Sequence, residues 1–180
     1  MPRRALLMAA VFSAVALPAA AAEPVRAVPR LDLQRYAGTW HEIARLPQFF
    51  QRNCLRNVTA TYSPQPDGAV RVENRCEKAR GPSRATGVAR TTGVPGQLEV
   101  RFAPRWLSFL PLVWGNYWVV ALDDDYRWAM VGEPGRRYLW ILAREPVLPA
   151  ATFARLRARA EAMGYDLAPL IVSEAQREAG

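Results

Sequence analysis

The first alternating strand of the chain opens with Gly38-Thr39-Trp40-His41-Glu42-Ile43-Ala44-Arg45-Leu46-Pro47, and the last closes with Tyr138-Leu139-Trp140-Ile141-Leu142-Ala143-Arg144. If the sheet between them curls into a barrel, the start of the first strand and the end of the last become neighbours. The Arg144 guanidinium is then expected over the Trp40 indole, a contact worth roughly 0.5–2 kcal/mol. The two stretches therefore predict a closed β-barrel.

Short alternating segments follow one another at even spacing between these two stretches. Gly, Pro and Asp separate them, a pattern typical of an antiparallel sandwich or barrel. The eight predicted strands are 40–46, 57–63, 69–76, 85–92, 97–102, 117–122, 128–131 and 138–143. A helix is predicted over 150–163, with an apolar stripe that packs on the outside of the sheet. A helical turn at 31–36 and a short strand at 170–172 complete the prediction.

The first 22 residues are typical of a secretory signal peptide, with a basic start, an apolar run and a small-residue cleavage site at Ala20-Ala21-Ala22. Residues 23–30 are interpreted as a Pro-containing linker and 31–176 as one domain. No cysteine lies near the cleavage site, so no lipid-attachment motif is seen. We expect an exported protein that is periplasmic or associated with the outer membrane.

The net charge is +8, and Lys78 is the only lysine among the 24 basic residues. The arginines are scattered over strands, turns and the helix. A nucleic-acid-binding protein needs a concentrated basic face with interleaved aromatic residues. The sequence therefore argues against a nucleic-acid partner and favours a basic surface with weak affinity for anionic lipid headgroups.

Both cysteines, Cys54 and Cys76, lie in the exported part, where an oxidising compartment favours a disulfide. They flank a predicted hairpin that turns at 64–68, so they fall nearly opposite each other at its open end. A metal site or a thiol nucleophile is the alternative, but no His or acidic partner lies at a recognised spacing. His41, the only histidine, is expected to face outward. The sequence thus predicts no metal site, no cofactor and no catalytic residues.

The motifs in this order resemble those of the lipocalin family, specifically the bacterial lipocalin and apolipoprotein D branch. Gly38 and Trp40 match its first motif, Asp125 and Tyr126 stand in its second, and Arg144 matches its third. Asp124 replaces the threonine of the second motif, and the lipid-attachment cysteine of several bacterial members is missing. The resemblance implies an all-β, eight-stranded antiparallel up-and-down barrel (lipocalin) with one C-terminal α-helix packed outside. It also implies a role in binding or transporting lipids.

Strand alternation from Trp40 and Arg144 predicts which side chains face the barrel interior. In the first strand these are Glu42, Ala44 and Leu46, and in the sixth they include Ala121. The residues that we assign to ligand binding are Ala60, Tyr62, Val72, Phe102, Tyr117, Trp128, Met130, Tyr138 and Trp140. Ligand contacts are expected away from Trp40, near Tyr62, Phe102, Tyr117 and Tyr138. An eight-stranded barrel is wide enough for one small ligand or for its own side chains, and the sequence leaves both open.

An apolar segment between the fifth and sixth strands contains Trp106-Leu107 and Phe109-Leu110-Pro111-Leu112-Val113-Trp114. It is too short to span a bilayer, so it either lies over the mouth, touches a partner or membrane, or folds back on itself. Phe49-Phe50 in the first long loop is expected to join this apolar segment.

The preferred function is storage or transport of a fatty acid or lysophospholipid in the cell envelope, by a protein that is not an enzyme. A membrane-associated lipid-handling factor acting through the apolar segment is the first alternative. An enzyme with Cys54 or Cys76 as nucleophile is the second. Whether the barrel forms a homodimer is left open.

Overall fold

The computed structural model describes residues 22–179, so nearly all of the predicted signal peptide lies outside the described residues. Eight strands form one antiparallel sheet that closes on itself, because β1 pairs with both β2 and β8. The strands are β1 (Gly38–Arg45), β2 (Arg56–Pro64), β3 (Val70–Lys78), β4 (Gly81–Thr91), β5 (Gln97–Arg101), β6 (Gly115–Leu122), β7 (Trp128–Gly132) and β8 (Leu139–Ala143). The prediction of an eight-stranded antiparallel barrel is confirmed.

Within residues 22–179, three helices and a ninth strand lie outside the eight strands of the barrel. Helix α1 (Leu33–Tyr36) precedes β1, and the Asp32 carboxylate caps it by accepting from the Gln34 and Arg35 amides. Helix α2 (Ala150–Ala162) follows β8, and α3 (Glu174–Glu178) lies near the end of the chain. Strand β9 (Ile171–Val172) pairs with the end of β1. Among the described residues, no helix has the length and apolar character needed to cross a bilayer.

Two apolar clusters lie on opposite faces of the sheet. The outer cluster contains Leu156 and Ala160 of α2 together with strand residues such as Ile43 and Ile141, so α2 packs outside the barrel as predicted. The inner cluster is formed by Tyr36, Trp40, Tyr62, Val70, Val72, Ala89, Leu98, Val119, Ala129, Val131 and Leu142. The sheet is therefore buried on its inner face and, beneath α2, on its outer face as well.

The segment 23–30, interpreted above as a linker, has no helix or strand but packs against the barrel. The Glu23 amide donates to the Ala162 carbonyl at 2.9 Å, and the Val28 amide donates to the Val119 carbonyl at 2.8 Å. Val25 is buried in the outer cluster. These contacts extend the folded unit to residues before the predicted domain start.

A β-bulge in β1 overturns the predicted facing of two residues. Glu42 lies opposite Leu142, but Ala44 lies opposite Ile141 and Arg45 opposite Trp140, so the register shifts by one residue at Ile43. A bulge leaves one residue unpaired and reverses the alternation after it. Ala44 and Leu46 consequently belong to the outer cluster, and Arg45 faces the interior beside Trp140.

The same reasoning corrects the sixth and seventh strands. A bulge between Val119 and Ala121 in β6 moves Ala121 to the outer cluster. In β7, Met130 lies opposite Ile141 and Trp128 opposite Ala143. Directly opposed residues of an antiparallel pair share a face.

The predicted inward orientation of Trp128 and Met130 is therefore wrong. Met130 is buried in the outer cluster, and Trp128 packs against the same cluster. The inward residues of β7 are Ala129 and Val131.

Candidate ligand site in the barrel

Trp40 and Arg144 close one end of the barrel. The Arg144 guanidinium carbon lies 3.9 Å from the centre of the Trp40 ring, as predicted, and Trp40 is fully buried. The guanidinium also donates to the carbonyls of Thr39 (3.0 Å), Ala37 (2.9 Å) and Arg35 (2.8 Å). Arg144 therefore joins the end of β8 to α1 and to the start of β1.

Gly38 is required for this approach. Its φ of +94° lies in the left-handed region, and an added Cβ would stand 3.3 Å from an Arg144 Nη atom. A side chain here meets both backbone strain and a guanidinium held by several carbonyls. Position 38 therefore requires glycine, because a side chain there would strain the backbone and crowd Arg144.

The turn between β6 and β7 completes the closed end. The Asp32 amide donates to the Tyr126 hydroxyl at 2.9 Å, and the Arg35 guanidinium lies 4.2 Å from the centre of the Tyr126 ring. Arg144 Nε donates to the Tyr126 carbonyl at 3.3 Å. Asp125 lies in this turn and forms a 3.7 Å ion pair with Arg127. The residues of all three sequence motifs meet at this end.

Three tyrosine hydroxyls meet inside the barrel. Tyr117 shares hydrogen bonds with Tyr36 (2.8 Å between oxygens) and with Tyr62 (2.7 Å). Tyr36 also packs against Trp40, with ring centres 4.8 Å apart and the rings tilted by 32°. Burial raises the pKa of all three hydroxyls, so they stay protonated at physiological pH. We call Tyr36, Tyr62 and Tyr117 the tyrosine triad.

The triad changes the predicted position of two site residues. Tyr62 lies opposite Gly38, at the closed end, and its hydroxyl points to the same Tyr117 that binds Tyr36. Tyr62 and Tyr117 face inward as predicted, but they form the floor of the barrel above Trp40 rather than its mouth.

The remaining predicted site residues divide between wall and mouth. Ala60 and Trp140 pack against the inner cluster, and Val72 is buried in it. Phe102 lies against Gly87, where an added Cβ would stand 2.8 Å from its ring, and the side chain is about half exposed. Tyr138 stacks on Trp140, with ring centres 6.2 Å apart, and contacts Phe50 of the first loop.

The loop between β1 and β2 folds across the open end. The disulfide between Cys54 and Cys76 joins it to β3, with 5.5 Å between the Cα atoms, so the predicted pairing is confirmed. The enzyme alternative needed a free thiol at one of these cysteines, and both are consumed by the disulfide.

A buried polar cluster lies under this loop, and sequence reasoning missed most of it. Arg45 forms an ion pair with Glu42, whose other oxygen accepts from the Gln51 amide at 2.9 Å. Trp140 Nε1 donates to Gln51 Oε1 at 3.0 Å. Burial raises the pKa of Glu42 above its ordinary value, while Arg45 and Gln51 oppose that shift.

Gln48 belongs to the same loop and is also buried. Neither its amide nitrogen nor its amide oxygen has a hydrogen-bond partner among the described residues. Gln48 and Gln51 follow no periodicity, and Arg45 faces inward only because of the bulge. The hydrophobic pattern of the sequence therefore carried no signal for Arg45, Gln48 and Gln51.

The apolar segment after β5 is partly folded and mostly exposed. It forms two 3₁₀ turns, Arg105–Leu107 and Pro111–Val113. Trp114 is held, because its Nε1 donates to the Ser108 carbonyl at 2.8 Å and Arg90 lies 3.9 Å from its ring centre. Trp106, Phe109 and Leu112 are 72%, 75% and 98% exposed. The segment is therefore folded back at Trp114 and exposed at Trp106, Phe109 and Leu112.

The inner face of the barrel carries both apolar and polar side chains. Side chains there are apolar along the wall, with hydroxyls at the floor and a charged pair with amides at the mouth. Within the part of the chain that the structure describes, no three His, Cys, Asp or Glu residues converge as metal ligands.

Comparisons with known proteins agree with this architecture. Residues 31–175 match the family model described as a lipocalin-like domain. The chain is 39% identical to the outer membrane lipoprotein Blc of Escherichia coli strain K12 over 152 residues, 82% of this chain and 81% of Blc. It is 36% identical to temperature-induced lipocalin-1 of Arabidopsis thaliana over 147 residues, 79% and 78% of the two chains.

A solved structure shows the same fold. Insecticyanin from the tobacco hornworm Manduca sexta superimposes with a TM-score of 0.65 at 21% identity, covering 86% of each chain. Lipocalin family members bind small hydrophobic ligands. The closed barrel, the three motifs at one end and these similarities all point to one family. The chain belongs to the lipocalin family, in the branch of Blc and apolipoprotein D.

Proposed function

We propose that the protein binds one fatty acid or lysophospholipid in its barrel and stores or transports it in the bacterial cell envelope. The observation that carries this is the division of the interior into an apolar wall and a polar mouth. An acyl chain fits the first, and a polar headgroup fits the second. The mechanism is sequestration of apolar surface from water.

The expected affinity follows from the buried chain. Each buried methylene contributes about 0.8 kcal/mol, against an association cost of several kcal/mol. A long acyl chain therefore supports micromolar binding without any specific headgroup contact. The inner face includes small residues such as Ala60 and Ala129, which occupy less of the interior than the aromatic residues beside them.

Native mass spectrometry of protein purified without detergent, with fatty-acid titration followed by tryptophan fluorescence, tests the proposal. Ala60→Phe fills the interior and is expected to weaken hexadecanoic acid binding at least tenfold. Thr59→Phe is the matched control, because Thr59 neighbours Ala60 on β2 and faces the opposite side. Equal binding by both variants, or no lipid adduct and no fluorescence change in the wild type, would contradict the proposal.

The envelope location rests on the signal-peptide pattern of residues 1–22 and on similarity to an outer membrane lipoprotein. Cell fractionation of the expressed full chain, with N-terminal sequencing of the mature form, tests it. A mature form that begins near Glu23 in the periplasmic or membrane fraction is expected. A full-length cytoplasmic product would contradict the location.

A second candidate function is peripheral docking on a membrane with the barrel mouth facing the lipid. The exposed apolar side chains of two loops, 46–55 and 102–114, lie at the open end of the barrel. Arg52, Arg105 and Arg137 lie in the loops at the same end and suit an anionic leaflet. Apolar insertion and basic attraction then act together, and a ligand would exchange directly with the bilayer.

Co-sedimentation with vesicles of phosphatidylglycerol and phosphatidylethanolamine distinguishes this candidate. Trp106→Ser with Leu112→Ser is expected to reduce the bound fraction severalfold. Val94→Ser is the matched control, because Val94 is an exposed apolar residue between β4 and β5, at the closed end. Equal binding of the wild type and the double variant would argue against docking through the mouth.

A further inference from the structure

The tyrosine triad always has one hydroxyl proton left over. Three hydroxyls carry three protons, and the triad uses two of them in its two hydrogen bonds. One proton is left over whichever hydroxyl donates in each of the two hydrogen bonds. Among the described residues these are the only hydrogen bonds that the three hydroxyls make, so one O–H donor remains inside the barrel floor.

An unused acceptor lies on the same inner face. Asn74 lies opposite Ala60, which itself lies opposite Trp40, so all three share the inward face. Asn74 Oδ1 is buried and has no hydrogen-bond partner in the described part of the chain. Asn74 is a diagonal neighbour of Tyr62 across the β2–β3 pair, a spacing of about 7–8 Å that leaves room for a small group between the two polar side chains.

Buried polar groups are expected to be paired, because an unpaired one costs about 1–3 kcal/mol. An unused donor and an unused acceptor at neighbouring inward-facing levels of an apolar barrel therefore mark a position for a group that supplies both. A hydroxyl accepts from the tyrosine and donates to the amide oxygen. A carbonyl satisfies only the tyrosine, and a methyl group satisfies neither.

We propose that the triad and Asn74 form a subsite for an uncharged hydroxyl group at the leading end of the ligand, so that the preferred cargo is a lipid hydroxylated on its acyl chain. The subsite rests on the proposed lipid-binding function and names the ligand class within it. The headgroup remains at the mouth, near Arg45 and Gln51.

The floor disfavours a carboxylate. Burial is the largest cause of the raised pKa of Tyr36, Tyr62 and Tyr117, so this environment destabilises an anion. The desolvation that keeps the tyrosines protonated also opposes entry of an ionised headgroup. The ligand is therefore oriented with its neutral end inward.

The test compares hexadecanoic acid with its ω-hydroxy derivative. The measured quantity is the ratio of their dissociation constants, taken for the wild type and for the triple variant Tyr36→Phe, Tyr62→Phe, Tyr117→Phe. Replacing all hydrogen-bonded partners by apolar groups of the same shape is close to neutral for stability, so the triple variant is expected to fold. Its near-ultraviolet circular dichroism and melting temperature establish that it does.

We expect the preference for the hydroxylated acid to fall at least tenfold in the triple variant, equivalent to about 1.4 kcal/mol. Tyr165→Phe is the control, because Tyr165 lies in the outer cluster and its hydroxyl bonds to Glu133; it should leave the ratio unchanged. Asn74→Ala should lower the ratio as well.

Three outcomes would overturn the subsite in different ways. If the wild type binds both acids and the triple variant alters their ratio by less than about threefold, the triad is structural only and the lipid-binding function stands. If the wild type binds neither acid, both the subsite and the proposed function fail. A ratio that shifts equally in Tyr165→Phe would also refute it, since the effect would then be global.

Discussion

The two ends of the barrel are held together by different means. At the closed end, Arg144 binds three carbonyls before and within β1, and a fully buried Trp40 lies beneath it. At the open end, a disulfide holds one loop, a charged pair lies buried under it, and large apolar side chains face solvent. We therefore propose that one end maintains the fold while the other meets a ligand or a surface.

Removing the closed-end indole should give the largest effect. Trp40→Ala is expected to lower the free energy of unfolding by about 3–5 kcal/mol. Removing the fully buried ring creates a cavity, and the Arg144 guanidinium loses its contact with the indole. Leu112→Ala, at a 98% exposed position, should change it by less than about 0.5 kcal/mol. Urea denaturation measures both, and similar losses in the two variants would erase the proposed division between the ends.

Removing the open-end disulfide should give the next largest effect. Cys54→Ala with Cys76→Ala is expected to cost about 3 kcal/mol, because the bridge closes a loop with a sequence separation of 22. Hydrogen exchange should show increased opening of residues 46–55 and unchanged protection of β1 near Trp40. Loss of protection at both ends together would show that the ends are not independent.

Arg144→Lys should cost less, about 2 kcal/mol. A lysine keeps the charge, but its single ammonium cannot reach the carbonyls of Arg35, Ala37 and Thr39 in the fork geometry of a guanidinium. Arg127→Lys is the control, since that guanidinium is exposed in the β6–β7 turn. Thermal unfolding compares the two, and equal shifts would mean that the fork geometry is unimportant.

The pH dependence of Glu42 should give the smallest effect. Its pKa is raised in the folded protein by burial, so the folded state holds the proton to higher pH than the unfolded chain. The stabilisation is present below the unfolded pKa, about 4.3, and is lost as pH rises through the folded pKa.

The stability of the wild type relative to Glu42→Gln should therefore fall as pH rises from about 4 to neutrality. Other carboxylates titrate in both proteins and cancel in the difference. A difference that rises with pH would show that the ion pair with Arg45 outweighs desolvation.

The sequence predicted the structure correctly at positions where only one residue type can make the contact and along strands whose alternation is unbroken. Trp40, Arg144, the two cysteines and the eight strands follow from such patterns. Met130 was misplaced because β7 was given the wrong parity, which only its register against β8 reveals. The bulge at Ile43 turns Ala44 outward and Arg45 inward. Strict alternation along a strand does not indicate where such a bulge occurs.

The polar groups of the candidate site were harder to predict for a different reason. Gln51 reaches Glu42 and Trp140 from a loop, so its position depends on contacts that are distant in sequence. Tyr36 precedes the first strand, yet its hydroxyl bonds to Tyr117, 81 residues later. Neither the contacts of Gln51 nor the hydrogen bond between Tyr36 and Tyr117 produces a pattern among neighbouring positions of the sequence.

The Arg144 contacts also bear on how fast the protein folds and unfolds. They join residues 105 to 109 positions apart, so they form only after β8 has met β1. Contacts at such separation are made after most of the chain entropy has been lost, which slows closure of the ring. We therefore expect that weakening Arg144 mainly accelerates unfolding and leaves the folding rate nearly unchanged, so that this side chain sets the lifetime of the closed barrel.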